Sequence, residues 1–64
     1  MRGTVTRFDV HVGLGEITSE SGALVPFHCI AIADGTRTIA VSTAVEFELI
    51  AKLGRYEAAD ITPA

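Results

Sequence analysis

Hydrophobic and polar residues alternate most clearly in the second half of the chain, where single residues separate Val45, Phe47 and Leu49. A period of two is typical of a β-strand with one buried face. We therefore predict that these three side chains point into a core. A helix from Ala40 to Leu53 is the main alternative, but the β-branched and aromatic residues of that segment favour a strand.

A second alternating segment precedes residue 30, where Val25 and Phe27 share one face of a predicted strand. The opposite, outward face of this strand carries Leu24, Pro26 and His28. The preceding strand, residues 13–19, is expected to point Ile17 inward. A hairpin turn is predicted between the two strands at residues 19–22, which read Ser-Glu-Ser-Gly.

The two ends of the chain also predict strands. Residues 4–10 are β-branched and extended, but the alternation slips between Val5 and Phe8, which indicates a β-bulge. Gly54 interrupts the pattern before a last strand, in which we expect Ala59 and Ile61 to face inward.

The segment between the third and fourth predicted strands is irregular. Residues 29–33 are compact and apolar and predict one helical turn, and Asp34-Gly35 predicts a turn. Residues 36–43 predict a long loop with Ile39 as its buried anchor. The complete pattern predicts an all-β domain of five antiparallel strands closed into a barrel.

Length and charge restrict the function. Sixty-four residues make a single domain, residues 1–64, with no room for a deep catalytic cleft. Five Lys and Arg residues face eight Asp and Glu residues, which gives a net charge of -3. Proteins that bind nucleic acid usually carry a basic patch, so this charge balance argues against strong binding to phosphate.

Few side chains suggest chemistry. Cys29 is the only cysteine, which excludes an internal disulfide. Two histidines and one cysteine lack the spacing of metal ligands, so we expect no metal, and we find no catalytic constellation and no need for a cofactor. Neither a signal peptide nor a membrane-spanning stretch is evident. We therefore expect a cytoplasmic protein that is not an enzyme.

The order and spacing of several short motifs resemble the bacterial cold-shock domain. Gly3-Thr4-Val5 and Phe8 match the family's opening G-x-V-x-W-F, and GLGEI from residue 13 occupies the place of its first ribonucleoprotein motif. VPFH from residue 25 occupies the place of the second motif, and AADI from residue 58 resembles the family's closing A-x-N-V. The resemblance implies a five-stranded antiparallel barrel of the OB type.

The same resemblance implies binding of single-stranded RNA or DNA on an exposed platform of aromatic rings. Four platform positions carry other residues in this chain: Arg7, Leu14, Glu16 and Pro26. Six residues remain as expected nucleic-acid contacts: Arg7, Phe8, His28, Arg37, Lys52 and Arg55. We expect binding to be weak or vestigial, since most stacking groups are replaced.

Two alternatives remain open at these positions. Arg7 either stacks on a base or forms an ion pair with Glu16 on the neighbouring strand, and we favour the ion pair. A different function is also compatible with the face whose expected aromatic residues are replaced. Leu14, Leu24 and Pro26 would form an apolar patch that contacts a protein partner or a second copy in a weak homodimer.

Overall fold

A computed structural model describes residues 1–64, and it is built from strands joined by turns. The strands are β1 (Arg2–Asp9), β2 (Leu14–Ser19), β3 (Leu24–His28), β4 (Ala44–Lys52) and β5 (Arg55–Pro63). One 3-10 turn, Cys29–Ala31, follows β3. The strand over residues 44–52 excludes the helical alternative for that segment. No helix has the length and hydrophobicity needed to cross a membrane.

The five strands form one antiparallel sheet in the order β3-β2-β1-β4-β5. This order confirms the all-β, five-stranded architecture of the OB type. The sequence also predicted that the sheet closes into a barrel, and that part is wrong, because the sheet is not closed. Strands β3 and β5 pack against each other without a ladder, and a single parallel bridge, Ile32 with Ile61, spans the seam. Proline at position 26 suits this open edge, because β3 is an edge strand.

Nine buried hydrophobic residues form one core between the curled halves of the sheet. They include Val5, Ile17, Val25 and Phe27, as the alternation predicts. The predicted bulge in β1 is also present, because the register with β2 shifts between Val5 and Arg7. The bulge leaves Thr6 and Arg7 both exposed to solvent.

Two predicted core positions are wrong. Leu49 is 40% exposed rather than buried, and in β5 the inward residue is Ala58, which is 2% exposed, rather than Ala59. Leu49 is exposed because β1 pairs with β4 only at residues 44–46, so that β4 extends beyond the core there. The cause at Ala58 is an irregularity between β4 and β5, where the register shifts between Glu46 and Glu48. Opposite this shift, Asp60 adopts a φ of 55°, so that Ala58 and Ile61 both face the core.

The long loop before β4 is held in place at both ends. Ile39 packs half-buried against the core, as predicted. The loop closes on β1, because the Ser42 N–H donates to the Val5 carbonyl at 2.7 Å. At the loop's start, the backbone and hydroxyl groups of Thr36 donate to the Asp34 carboxylate, which lowers the pKa of Asp34.

Candidate functional site

The outward side chains of β1, β2 and β3 line up in rows across the strands, and we call this surface the outer face. Direct register partners form a central row of Arg7, Glu16 and Pro26. The row on one side consists of Asp9, Leu14 and His28, and the row on the other side consists of Thr4, Thr18 and Leu24. The outer face therefore unites the positions at which the resemblance expects aromatic rings.

The favoured ion pair between Arg7 and Glu16 does not form, although the two residues are register partners. The ion pairs of the structure are Arg2 with Glu46, at 3.7 Å, and Arg55 with Glu57, at 3.2 Å. The guanidinium of Arg7 thus lies on the outer face without a carboxylate partner. This leaves it available to a ligand.

Phe8 lies on the opposite side of β1 from Arg7 and packs toward the core. Its ring stacks on that of Phe27, with centroids 5.9 Å apart and planes 8° apart. Both residues flank Gly15 in the register. Phe8 remains half-buried, so only part of its ring is accessible to a base.

A shallow depression of about 480 Å³ opens between β1 and β2. Its lining consists of Arg7, Phe8, Asp9, Leu14, Gly15 and Glu16. Two of these residues are acidic and one is basic, so the depression is not electropositive. Its two carboxylates oppose an adjacent phosphate.

His28 ends β3 and is exposed. It precedes the 3-10 turn at the capping position, yet its side chain makes no capping hydrogen bond. Leu14 is its register partner on β2. The imidazole is therefore free for a ligand on the outer face.

The other predicted cations lie elsewhere in the fold. Arg37 is exposed in the long loop, with a φ of 61°. Lys52 and Arg55 are register partners at the end of the β4–β5 hairpin. Arg55 donates to the Glu57 carboxylate at 3.2 Å, whereas Lys52 forms no ion pair. The register thus brings together Arg7, Leu14, Pro26 and His28, but places the hairpin cations on a separate element.

The predicted apolar patch shares the outer face but is not compact. Leu14 is 48% exposed and Leu24 is 63% exposed, and they lie in the two rows that flank the central row. Pro26 lies between them on β3, and Glu16 interrupts the patch on β2. The three apolar residues therefore form a diagonal line rather than a broad surface.

Tyr56 was not predicted as a site residue, although it is 64% exposed near the tip of the β4–β5 hairpin. An aromatic residue directly after Gly54-Arg55 was the available signal, since a ring beside a hairpin turn has little core to pack against. Cys29 is half-buried, and no group of three or more His, Cys, Asp or Glu residues converges into a possible metal site.

Comparison with known proteins identifies a family for the whole chain. The chain matches the family model of the 'Cold-shock' DNA-binding domain over residues 1–64, its whole length. No curated protein matches the chain significantly. The family match covers every strand of the sheet and every row of the outer face, and the chain therefore belongs to the cold-shock domain family.

Proposed function

We propose that the chain binds single-stranded RNA or DNA weakly on its outer face. The observation that carries this proposal is the Arg7 guanidinium, which lies on the outer face without an ion-pair partner. The family match supports nucleic-acid binding by the domain. A guanidinium can stack on a base and also donate to phosphate. His28 provides a second planar group on the same face.

The weakness follows from the missing rings. Phe27 and Phe47 are 1% and 2% exposed, so they cannot stack on a base. Stacking contributes about 1–3 kcal/mol per base, so four missing platform rings cost about 4–12 kcal/mol if the losses were additive. Even the lower figure corresponds to about a thousandfold loss of affinity. Asp9 and Glu16 add repulsion toward phosphate.

Titration with a pyrimidine heptamer tests the proposal. At about 150 mM salt we expect amide NMR shifts around Arg7 and His28, with a dissociation constant above the micromolar range. The variant Arg7→Ala should weaken binding. Arg2→Ala is the matched control, because Arg2 lies on the same strand but pairs with Glu46. Submicromolar binding, or equal loss in both variants, would contradict the proposal.

A protein contact is the second candidate function for the same face. It is supported by the exposure of Leu14 and Leu24, at 48% and 63%. Aliphatic side chains suit a protein surface better than a base, because bases favour flat rings and positive charge. The two functions differ in their response to substitution. Loss of the Arg7 side chain weakens nucleic-acid binding, whereas loss of the Leu14 side chain weakens the protein contact.

A further inference from the structure

Only one of the four aromatic rings of this chain is largely exposed to solvent. Phe27 and Phe47 belong to the core, and Phe8 packs half-buried on Phe27. Tyr56 is 64% exposed. Tyr56 is therefore the aromatic residue on which a nucleobase can stack most easily.

Tyr56 lies on a two-stranded extension of the sheet. Strand β1 pairs with β4 only at residues 44–46, whereas β4 and β5 continue to pair as far as Lys52 and Arg55. Across the ladder from Tyr56 lies Ala51, whose methyl group is too small to cover the ring. The ring is thus presented on a narrow ribbon that solvent reaches from several sides.

The tip of the same ribbon carries two of the five basic residues of the chain. Lys52 has no ion-pair partner, and Arg55 keeps 70% of its side chain exposed although it pairs with Glu57. Lys52 and Arg55 project from the face opposite Tyr56, because they occupy the next position along each strand. Neighbouring strands are only about 5 Å apart, so their long side chains can reach around the ribbon.

We propose that Tyr56 stacks on a nucleobase while Lys52 and Arg55 contact the flanking phosphates. An exposed ring beside cations is the chemistry that binds single-stranded nucleic acid. The two cations at the tip favour a polyanionic partner over a protein surface. This inference rests on the proposed function, and it adds the hairpin tip to the outer face as a second binding element.

Intrinsic fluorescence tests the proposal directly, because the chain has one Tyr and no Trp. Emission therefore reports on Tyr56 alone. We expect a thymidine heptamer to quench this emission at about 10 mM ionic strength, where exposed charges are least screened. An abasic heptamer of equal length supplies the phosphates without bases, and it should bind without comparable quenching.

Affinity measured by anisotropy of a labelled heptamer provides the second readout. Tyr56→Ala should weaken binding at least about fivefold, whereas Tyr56→Phe should retain it, because the phenyl ring still stacks. Leu49→Ala is the matched control on the same ribbon, since Leu49 is also exposed, at 40%. Circular dichroism verifies that each variant is folded.

The outcomes separate this inference from the function on which it rests. If the heptamer binds but neither Tyr56 emission nor the affinity of Tyr56→Ala changes, the inference is overturned and the proposed function stands. If no heptamer binds even at low salt, both are overturned. An emission change that depends on protein concentration without DNA would identify the tip as a contact between copies, which also overturns the inference.

Discussion

At the scale of single residues, Gly15 is the most constrained position next to the outer face. It lies between Phe8 and Phe27 in the register. A Cβ atom at Gly15 would overlap the Phe27 ring and lie 2.9 Å from the Arg7 carbonyl oxygen. The absence of a side chain therefore lets the two rings stack across β2.

We expect Gly15→Ala to destabilise the fold by about 1–3 kcal/mol, because the added methyl group forces the Phe27 ring to move. Urea unfolding would show a lower midpoint at an unchanged slope. In a Phe27→Leu background the same substitution should cost less, since a shorter side chain leaves room for the methyl group. An equal cost in both backgrounds would show that the ring does not set the constraint.

The chemistry of single positions was only partly predictable from sequence. Facing partners such as Arg7 and Glu16 follow from strand register, and they are indeed neighbours. Whether two long side chains then form an ion pair depends on rotamers and solvation, which a pattern does not contain. The exposure of Tyr56 depends on how far the hairpin extends beyond β1, which the hydrophobic pattern does not specify.

At the scale of elements, the two bulges differ in how visible they are in the sequence. The β1 bulge was predictable because the spacing between Val5 and Phe8 breaks the alternation. The β5 irregularity arises from the left-handed backbone of Asp60. The spacing of hydrophobic residues does not predict this conformation. This single residue turns Ala58 inward instead of Ala59, and it accounts for the wrong prediction there.

The β4–β5 hairpin turn contains an unfavourable residue. Leu53 and Gly54 have φ values of 47° and 85°, as a two-residue type I′ turn requires. Leu53 is fully exposed, so no packing compensates for its left-handed backbone. Asn-Gly is the preferred pair in such turns.

We therefore expect Leu53→Asn to stabilise the domain by roughly 1 kcal/mol, the approximate cost of the left-handed region for an ordinary residue. Leu53→Val should destabilise it, because a branched Cβ atom tolerates positive φ poorly. Thermal unfolding measures both, and for a domain of this size 1 kcal/mol corresponds to a shift of about 4–8 °C. Equal midpoints for the two variants would contradict this account of the turn.

The central row of the outer face allows a gain-of-function prediction. Arg7, Glu16 and Pro26 are direct neighbours across β1, β2 and β3. Replacing all three together, by Arg7→Trp, Glu16→Phe and Pro26→Phe, should create a continuous ring platform. At about 1–3 kcal/mol per ring, heptamer affinity should rise about a hundredfold or more.

The matched control replaces the same three residues with leucine, which makes the row apolar without adding rings. Because it also removes the Arg7 guanidinium, it should bind the heptamer no more tightly than the parent chain. Heptamer titration monitored by NMR measures both variants, and circular dichroism verifies the fold. A folded aromatic variant with unchanged affinity would mean that the backbone no longer presents the row to bases.

At the scale of the whole molecule, the fold and the charge lead to different expectations about partners. The sheet order and the core preserve the architecture on which the family binds nucleic acid. The net charge of -3 opposes the approach of a polyanion, so binding depends on the local attraction of exposed cations such as Arg7 and Lys52 for phosphate. The sequence was sufficient to predict this conflict, because the amino-acid sequence itself contains both the motif order and the charge count.

The second candidate function predicts weak association through the apolar diagonal of Leu14, Pro26 and Leu24. A contact made by three side chains buries little surface, so association should be transient and depend on concentration. Leu14→Glu should reduce it without unfolding the domain, since Leu14 is 48% exposed. Val12→Glu is the matched control, because it adds the same charge at a residue that is 60% exposed and lies outside the strands.

Sedimentation of the parent chain and of both variants over a wide concentration range measures this association. The parent chain and Val12→Glu should show the same rise in apparent mass, and Leu14→Glu should show a smaller one. A strict monomer up to millimolar protein would eliminate the homodimer. If a pull-down then recovered no partner sensitive to Leu14→Glu, the aliphatic residues would have no binding role. In that case the outer face would retain only the weak contacts of Arg7 and His28 with nucleic acid.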